Sequence, residues 1–368
     1  MNRQLHIISL DVPYPVDHGG LFDLFYKLQA LKRADIGIHL HCFEYGRAQQ
    51  PILEQYCESV HYYPRQTGIK GFSTKLPYIV NSREHPALTE RLLADDHPIL
   101  MEGIHCTALL KDARFKKRNL FVRLHNVEYE YYEQLSKLER SPYKKMYYSY
   151  ESKLLKKYEA SIAHKALFLA VSERDAALYR DRFHAKATFL PVFVPWNEVQ
   201  SLTGSGTYCL YHGNLSVAEN EQAAIWLMKE VFAGLDIPLI IAGRKPSSNL
   251  IKLAGKNLVA NPDESTLQKL IQEAHINILP AFNTTGVKLK LLHALFEGRH
   301  CITSSHALDG TGLESTCHVA DNATAMQQTI KELMQSAFTT DMRTQRAAML
   351  SGVYNNDANC RRLTGWIW

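Results

Sequence analysis

The sequence predicts an α/β protein built from two Rossmann-like domains facing across a cleft. Three observations lead there. Short apolar runs alternate with helical patterns along the chain, which argues for parallel sheets covered by helices. The alternation lapses once, near the middle, where prolines give way to a glycine, serine and threonine cluster. It then restarts with a strand that runs into a glycine turn. The 368 residues suffice for two domains with cores of ordinary size, and 46% apolar with 21% charged residues is a globular balance.

The elements follow in order. LHIISL (5–10) is the first strand; the turn-rich DVPYPVDHGG leads from it into the helical pattern LFDLFYKLQALKRA. IGIHLHCF (36–43), PILMEG (98–103), NLFVRLH (119–125) and ALFLAVS (166–172) read as further strands, the last opening the helix SERDAALYRDRF. The pattern lapses over 190–207, so the first domain is expected over 1–195 and a linker over 196–206. The second domain, 207–350, begins with YCLYHGN (208–214), the helical NEQAAIWLMKEVFAGL and IPLIIAGR (237–244). NLVA (257–260), HINILPA (275–281), HCITSS (300–305) and TCHVAD (316–321) complete its expected strands. Ligands of such sheets lie beyond the carboxyl ends of the strands, and a cleft between two such domains is the natural active site.

Charge and cysteine usage exclude several classes. A net charge of +5 suits an anionic ligand or an anionic membrane surface, and no nucleic-acid-binding motif accompanies it. The seven cysteines include no C-x-x-C pair, so neither a zinc site nor a disulfide framework is expected, and a reducing compartment is. The first apolar run is too short for a signal peptide, and no window reaches about 18 apolar residues. A cytoplasmic location is expected, on these grounds.

The stretch TTGVKLKLLHALFEG (284–298) carries the clearest chemistry. Thr284, Thr285 and Gly286 follow a strand and precede a helix, and unpaired amides with the helix dipole make that end an anion site. Val287 continues the turn, and Lys288 and Lys290 follow in the first turns. Lysine that early opposes the dipole, a cost that an anionic ligand offsets. Gly19 and Gly20, in DHGG, allow backbone to approach a ligand closely, with Asp17 and His18 beside them as candidate bases. His125 ends a strand, with Asn126 and Glu128 after it. Glu102 and His105 follow another strand end. Gly213 and Asn214 end the first strand of the second domain, and Arg244 ends its neighbour.

Together these segments resemble a known family. PYPVDHGG after the first strand, RLHNVEYEYYEQL similar to R-x-H-N-x-E, and AVSERD similar to S-x-x-D come in the family's order. YHGNLSVAENEQAAIWL follows, and then GVKLKLLHALFEGRHCITSS similar to G-x-x-K-x-x-E-A-x-x-x-G-x-x-V. The chain resembles the retaining glycosyltransferases of the GT-B fold, of the family 4 or group 1 type, over nearly its whole length. The resemblance implies transfer of a sugar from a nucleotide-diphosphate donor to a hydroxyl acceptor, which is a glycan, a lipid-linked glycan or a small molecule. It assigns Lys290 to the diphosphate, His125 to the donor sugar, and the Gly19–Gly20 loop to diphosphate and acceptor. It also implies that the C-terminal segment, 351–368, crosses back onto the first domain.

The chain departs from the family at three places. Thr285 and His293 stand where the family often has two acids, the second of which accepts hydrogen bonds from ribose hydroxyls. A neutral imidazole accepts one such bond at most. The family's arginine and lysine near the first turn of the second domain are absent too; Asn214 and Glu219 or Asn220 stand there, with Arg244 as the nearby substitute. No D-x-D lies in a suitable loop, so neither a metal nor another cofactor is expected. The alternative is a catalytically degenerate member that binds a sugar or a partner; a nucleotide-sugar epimerase is a third reading. Finally, KLERSPYKKMYYSYESKLLKK (137–157) mixes lysine with tyrosine, as a solvated helix face or as a peripheral contact with anionic lipid.

Overall fold

The computed structural model describes residues 3–16, 19–139, 141–282 and 286–368. The chain divides into two compact units. One comprises Met1–Pro195, Thr285–Val287 and Tyr354–Trp368; the other comprises Trp196–Thr284 and Lys288–Val353.

The first unit is a parallel sheet of strands β1 (Gln4–Ser9), β2 (Gly37–Glu44), β3 (Ser59–Pro64), β4 (Ile99–Glu102), β5 (Leu120–Leu124), β6 (Leu167–Ala170) and β7 (Ala187–Phe189). Among the described residues they stand in the order β3-β2-β1-β4-β5-β6-β7. The central strands are buried on both faces, which is why they read as continuous apolar runs. Helix Gly19–Arg33 packs Leu24, Leu28 and Leu31 against Leu5, Ile7, Ile38 and Leu40. Cys360, Leu363 and Ile367 of the final helix, Asn356–Ile367, join the same core. On the other face, Leu155, Tyr158 and Ile162 of helix Pro142–Ile162 pack with Met101, Val122 and Leu124. Helix Glu173–Phe183 starts where the S-E-R-D stretch predicts, with Ser172 Oγ accepting from the Asp175 amide at 3.1 Å.

The second unit has strands β8 (Cys209–Asn214), β9 (Leu239–Arg244), β10 (Leu258–Ala260), β11 (Ile276–Leu279), β12 (His300–Thr303) and β13 (His318–Val319), all parallel. Their order is β10-β9-β8-β11-β12-β13. Both sheets are doubly wound and the predicted α/β class holds.

Three details differ from expectation. Strands β3 and β7 were not foreseen. Both are edge strands; β3 buries only Tyr63 and β7 buries none of its three residues, so neither carries an apolar run. The stretch 196–206 is docked on the second unit rather than free. The Gln200 amide donates to Phe296 O at 2.7 Å, Gly204 bridges to Phe338, and the Gly206 amide donates to His275 Nδ1 at 3.0 Å. Lastly, the helix expected to open at Gly286 begins at Leu289, with Lys288 as its N-cap. Gly286 has φ +64°, outside the helical region, which moves the start. The seven cysteines are free thiols.

Candidate active site

In the first unit, four charged side chains meet beneath the carboxyl ends of β4 and β5. Asp23 and Lys27 lie one turn apart on helix Gly19–Arg33, Glu102 ends β4 and Arg123 is in β5; all four are buried. Arg123 grips Asp23 with two nitrogens, at 2.8 and 3.0 Å, and donates also to the carbonyls of Leu190 and Pro191. The Asp23 carboxylate takes a further bond from the Phe193 amide at 2.8 Å. Lys27 Nζ lies 3.0 Å from Asp23 and 2.6 Å from Glu102. Two anions and two cations therefore cancel inside the sheet, as buried charges must.

His125, the residue after β5, completes the cluster. Its Nε2 stands 3.0 Å from Glu102 Oε2 and its Nδ1 4.0 Å from Asp23 Oδ2. Burial pushes the Glu102 carboxyl upward, but the Lys27 ammonium and His125 outweigh it and hold Glu102 below the ordinary range. An ionised carboxylate only accepts, so the proton between the two belongs to Nε2. Gly20 makes the close approach of the helix start to this ring possible, since a Cβ there would lie 3.3 Å from His125 Cδ2. Beside it, Asn126 hydrogen-bonds to Glu128, whose carboxyl is pushed up to about 7 by burial. Asp23, Glu102 and His125 offer ligand atoms within 4.8 Å of one another, yet Lys27 and Arg123 together already compensate both carboxylates.

The second unit gathers a second cluster around helix Leu289–Glu297. Lys290 Nζ donates to Asn220 Oδ1 at 2.9 Å and Tyr211 Oη at 3.2 Å, and lies 4.8 Å from the Tyr211 ring centre. Burial pushes its pKa down to about 8, with Lys288 acting in the same direction and Glu219 against it. His293, one turn on, stacks against Trp196 with ring centres 4.9 Å apart. Burial takes this imidazole down to about 4, so it is neutral at neutral pH. His212 of β8 meets it edge-on at 5.9 Å and is driven well below its ordinary range by burial. Asn214 and Arg244 are paired in register at the ends of β8 and β9, with Arg244 exposed. Gly213 and Gly243 allow that pairing; a Cβ on Gly243 would lie 2.0 Å from Gly213 O. Strand ends, a helix start, a half-buried lysine and an exposed arginine side chain thus collect on one edge of this sheet.

Comparison with known proteins gives the family and the fold. A sequence model described as glycosyl transferases group 1 matches residues 206–336. A Klebsiella pneumoniae protein, described as an uncharacterized 44.6 kDa protein in the cps region, is 30% identical over 334 residues. That match covers 83% of this chain and 84% of the relative. The chain belongs to the group 1 glycosyltransferases. Solved structures show the same fold: TarM, at TM-score 0.68 and 9% identity, covers 100% of this chain and 99% of its own. Anabaena Alr3699/HepE, solved with UDP and glucose, matches at TM-score 0.67 and 11% identity over 99% of this chain and 98% of its own. Both likenesses place this group 1 glycosyltransferase in the GT-B fold.

The residues expected from sequence fall as follows. Gly19, Gly20, Glu102, His125 and Asn126 lie at or beside the first cluster, and His105 lies in the turn Ile104–Cys106 just after Glu102. Gly213, Asn214, Lys288, Lys290 and His293 lie around the second, with Arg244 at its edge and Gly286 and Val287 leading to it in sequence. Asp17, His18, Thr284 and Thr285 lie outside the described residues. Sequence reasoning missed Asp23 and Lys27, and gave no role to Arg123, which opens the R-x-H-N-x-E match. Their signal was present: charges at i and i+4 on the apolar face of a helix, and an arginine inside an apolar strand. Asn220 was noted only as a missing lysine, whereas it holds Lys290.

Proposed function

We propose that this glycosyltransferase moves a sugar from a nucleoside diphosphate donor to a hydroxyl acceptor, with retention of anomeric configuration and without a divalent metal. The carrying observation is Lys290: a lysine held half-buried in the first turn of a helix, its ammonium fixed by Tyr211 and Asn220 and its pKa lowered toward neutrality. Such a group has a strong reason to accept an anion. A departing diphosphate meets its charge and the helix N-terminus together, where negative charge develops. Arg244, exposed at the neighbouring strand end, is the second cation. Two solved relatives of the fold, S. aureus TarM and Anabaena HepE, hold UDP, which supports the donor class. His125 contacts the donor sugar, its ring held in place through Nε2 by Glu102. The leaving phosphate helps to deprotonate the acceptor, a glycan, a lipid-linked glycan or a small molecule. Charge compensation of Asp23 and Glu102 by Lys27 and Arg123 supports a reaction without metal.

A thermal-shift titration with UDP, GDP, ADP and TDP, repeated in EDTA, tests this. One nucleotide is expected to raise the melting temperature in both conditions, since saturation at about 100-fold over Kd stabilises by about 2.7 kcal/mol. Absence of any shift at millimolar nucleotide would favour the second reading, a degenerate member that binds a partner. The observation behind that reading is His293, neutral and stacked on Trp196 where the family has an acid. The two readings predict different outcomes for His293→Glu. In the enzyme it restores a charged acceptor for the ribose hydroxyls, and nucleotide affinity by calorimetry is expected to rise about tenfold. In a degenerate protein it changes nothing measurable.

A further inference from the structure

Helix Pro142–Ile162 is anchored along its second half, but its first nine residues stand mostly in solvent. Tyr143 is 81% exposed and Met146 69%, with Lys144 and Lys145 between them. The stretch tied to this helix through Thr74 and Tyr78 carries the one-turn helix Gly68–Gly71, which presents Ile69 at 94% exposure, followed by exposed Phe72. The two segments are joined: Tyr150 Oη donates to Thr74 O at 3.2 Å, and the Tyr78 amide donates to Glu151 Oε2 at 2.8 Å.

The loop that carries Ile69 is built to hold it outward. Gly68 has φ +61°, and its amide donates to Tyr78 Oη at 3.1 Å. Gly71 is packed so tightly that a Cβ would lie 2.4 Å from Gln66 O, and its carbonyl accepts from the Asn81 side chain at 3.0 Å. An isoleucine fixed in water by a pinned turn gains nothing from the fold; its apolar area is favourable only against something outside it. The exposed charges carried by the two segments themselves, Lys70, Lys75, Lys144 and Lys145, are basic, with Glu84 and Glu139 beyond them and Glu151 buried. Residues 65–83 contain Arg65, Lys70, Lys75 and Arg83 and no acid, and residues 141–150 contain Lys144 and Lys145 and no acid.

We propose that this surface docks the protein on an anionic lipid bilayer. Ile69, Tyr143 and Met146 enter the boundary between headgroups and acyl chains, and Lys70, Lys144 and Lys145 meet the lipid phosphates. Aliphatic, tyrosine and lysine side chains on one surface are the combination that a headgroup layer accepts. A single-stranded nucleic acid would call for stacking platforms, which Ile69 and Met146 are not. The surface does not depend on which nucleotide or sugar the enzyme uses.

Co-sedimentation of the whole protein with phosphatidylcholine vesicles, with and without phosphatidylglycerol, tests the proposal. Binding is expected only with phosphatidylglycerol and is expected to weaken with salt. At about 1 kcal/mol per lysine near an anionic surface, Lys144→Gln with Lys145→Gln lowers the partition coefficient about 30-fold. Ile69→Ser with Met146→Ser abolishes binding while the melting temperature is unchanged, because both side chains are exposed. No sedimentation with phosphatidylglycerol at low salt overturns the proposal. So does binding that survives Ile69→Ser with Met146→Ser, or that a soluble polyanion such as heparin reproduces with the same indifference to those substitutions. That last outcome would mark a purely electrostatic partner.

Discussion

Lys290→Ala is expected to lower sugar transfer by about 10²–10³-fold or more, the usual cost of removing a donor aimed at developing charge. The variant should remain folded. In the free protein Lys290 is held against its own solvation, which is why its pKa is pushed down to about 8. A lysine whose folded pKa is below its unfolded one opposes folding at neutral pH, and the penalty fades only as pH rises above about 8. Lys290→Met, which keeps the bulk on Tyr211 and removes the charge, should therefore raise the unfolding free energy by about 1–2 kcal/mol at pH 7. Loss of turnover joined to a gain in stability is a signature that a merely structural lysine does not give. The pH profile adds a second check. Nucleoside diphosphate affinity should fall as pH rises through about 8, where Lys290 loses its proton, and Lys290→Arg should remove that fall. Single-turnover rates, denaturant midpoints and titration calorimetry at several pH values measure these expectations. Turnover near wild type in Lys290→Ala would remove the diphosphate role.

Arg123→Ala is expected to destabilise the protein by about 3–5 kcal/mol, the largest effect on folding of any single change considered. It strips the buried Asp23 carboxylate of a two-pronged partner and leaves the carbonyls of Leu190 and Pro191 without their donors. Lys27 cannot take over, because it is already shared with Glu102. Arg123→Lys should recover only part of the loss, since a point charge cannot reach both carboxylate oxygens and two carbonyls at once. The pair also has a pH signature. Burial would raise the Asp23 carboxyl, but Arg123 and Lys27 hold it far below the ordinary aspartate range. That contribution is present at neutral pH and is lost as pH falls below the unfolded value near 4. Urea midpoints at neutral and acid pH for wild type and Arg123→Ala should converge as the pH falls. Midpoints that stay equally far apart at every pH would mean that the ion pair carries no stability.

Much of the fold was legible because parallel strands buried on both faces read as unbroken apolar runs. ILM in β4 and LFV in β5 are examples. Edge strands lack that signal, and β3 and β7 went unread for that reason. The lysine at 290 was legible because it opposes a helix dipole, a local conflict that calls for a ligand. Its partners were not: Asn220 lies seventy residues earlier, and only the fold brings its amide to the ammonium. The same holds for Trp196, which stacks on His293 from a stretch that composition marks as linker. Asp23, Lys27 and Arg123 occupy an intermediate case. Their polarity inside apolar patterns was visible, yet nothing local told which opposite charge each would meet.

The last helix has a consequence for the order in which the protein is made. Cys360 rests on the carbonyl of Ala30, 330 residues earlier, and Leu363 and Ile367 fill the same core as Leu24, Leu28 and Leu31. At about 5–20 residues per second, roughly 15–65 s separate the synthesis of the two halves of that contact. Through that interval, the part of helix Gly19–Arg33 that meets the final helix has no partner, although its leucines can already pack on β1 and β2. An apolar contact left open that long is a place where a chaperone would engage the newborn chain, even though the first domain's own strands are already complete.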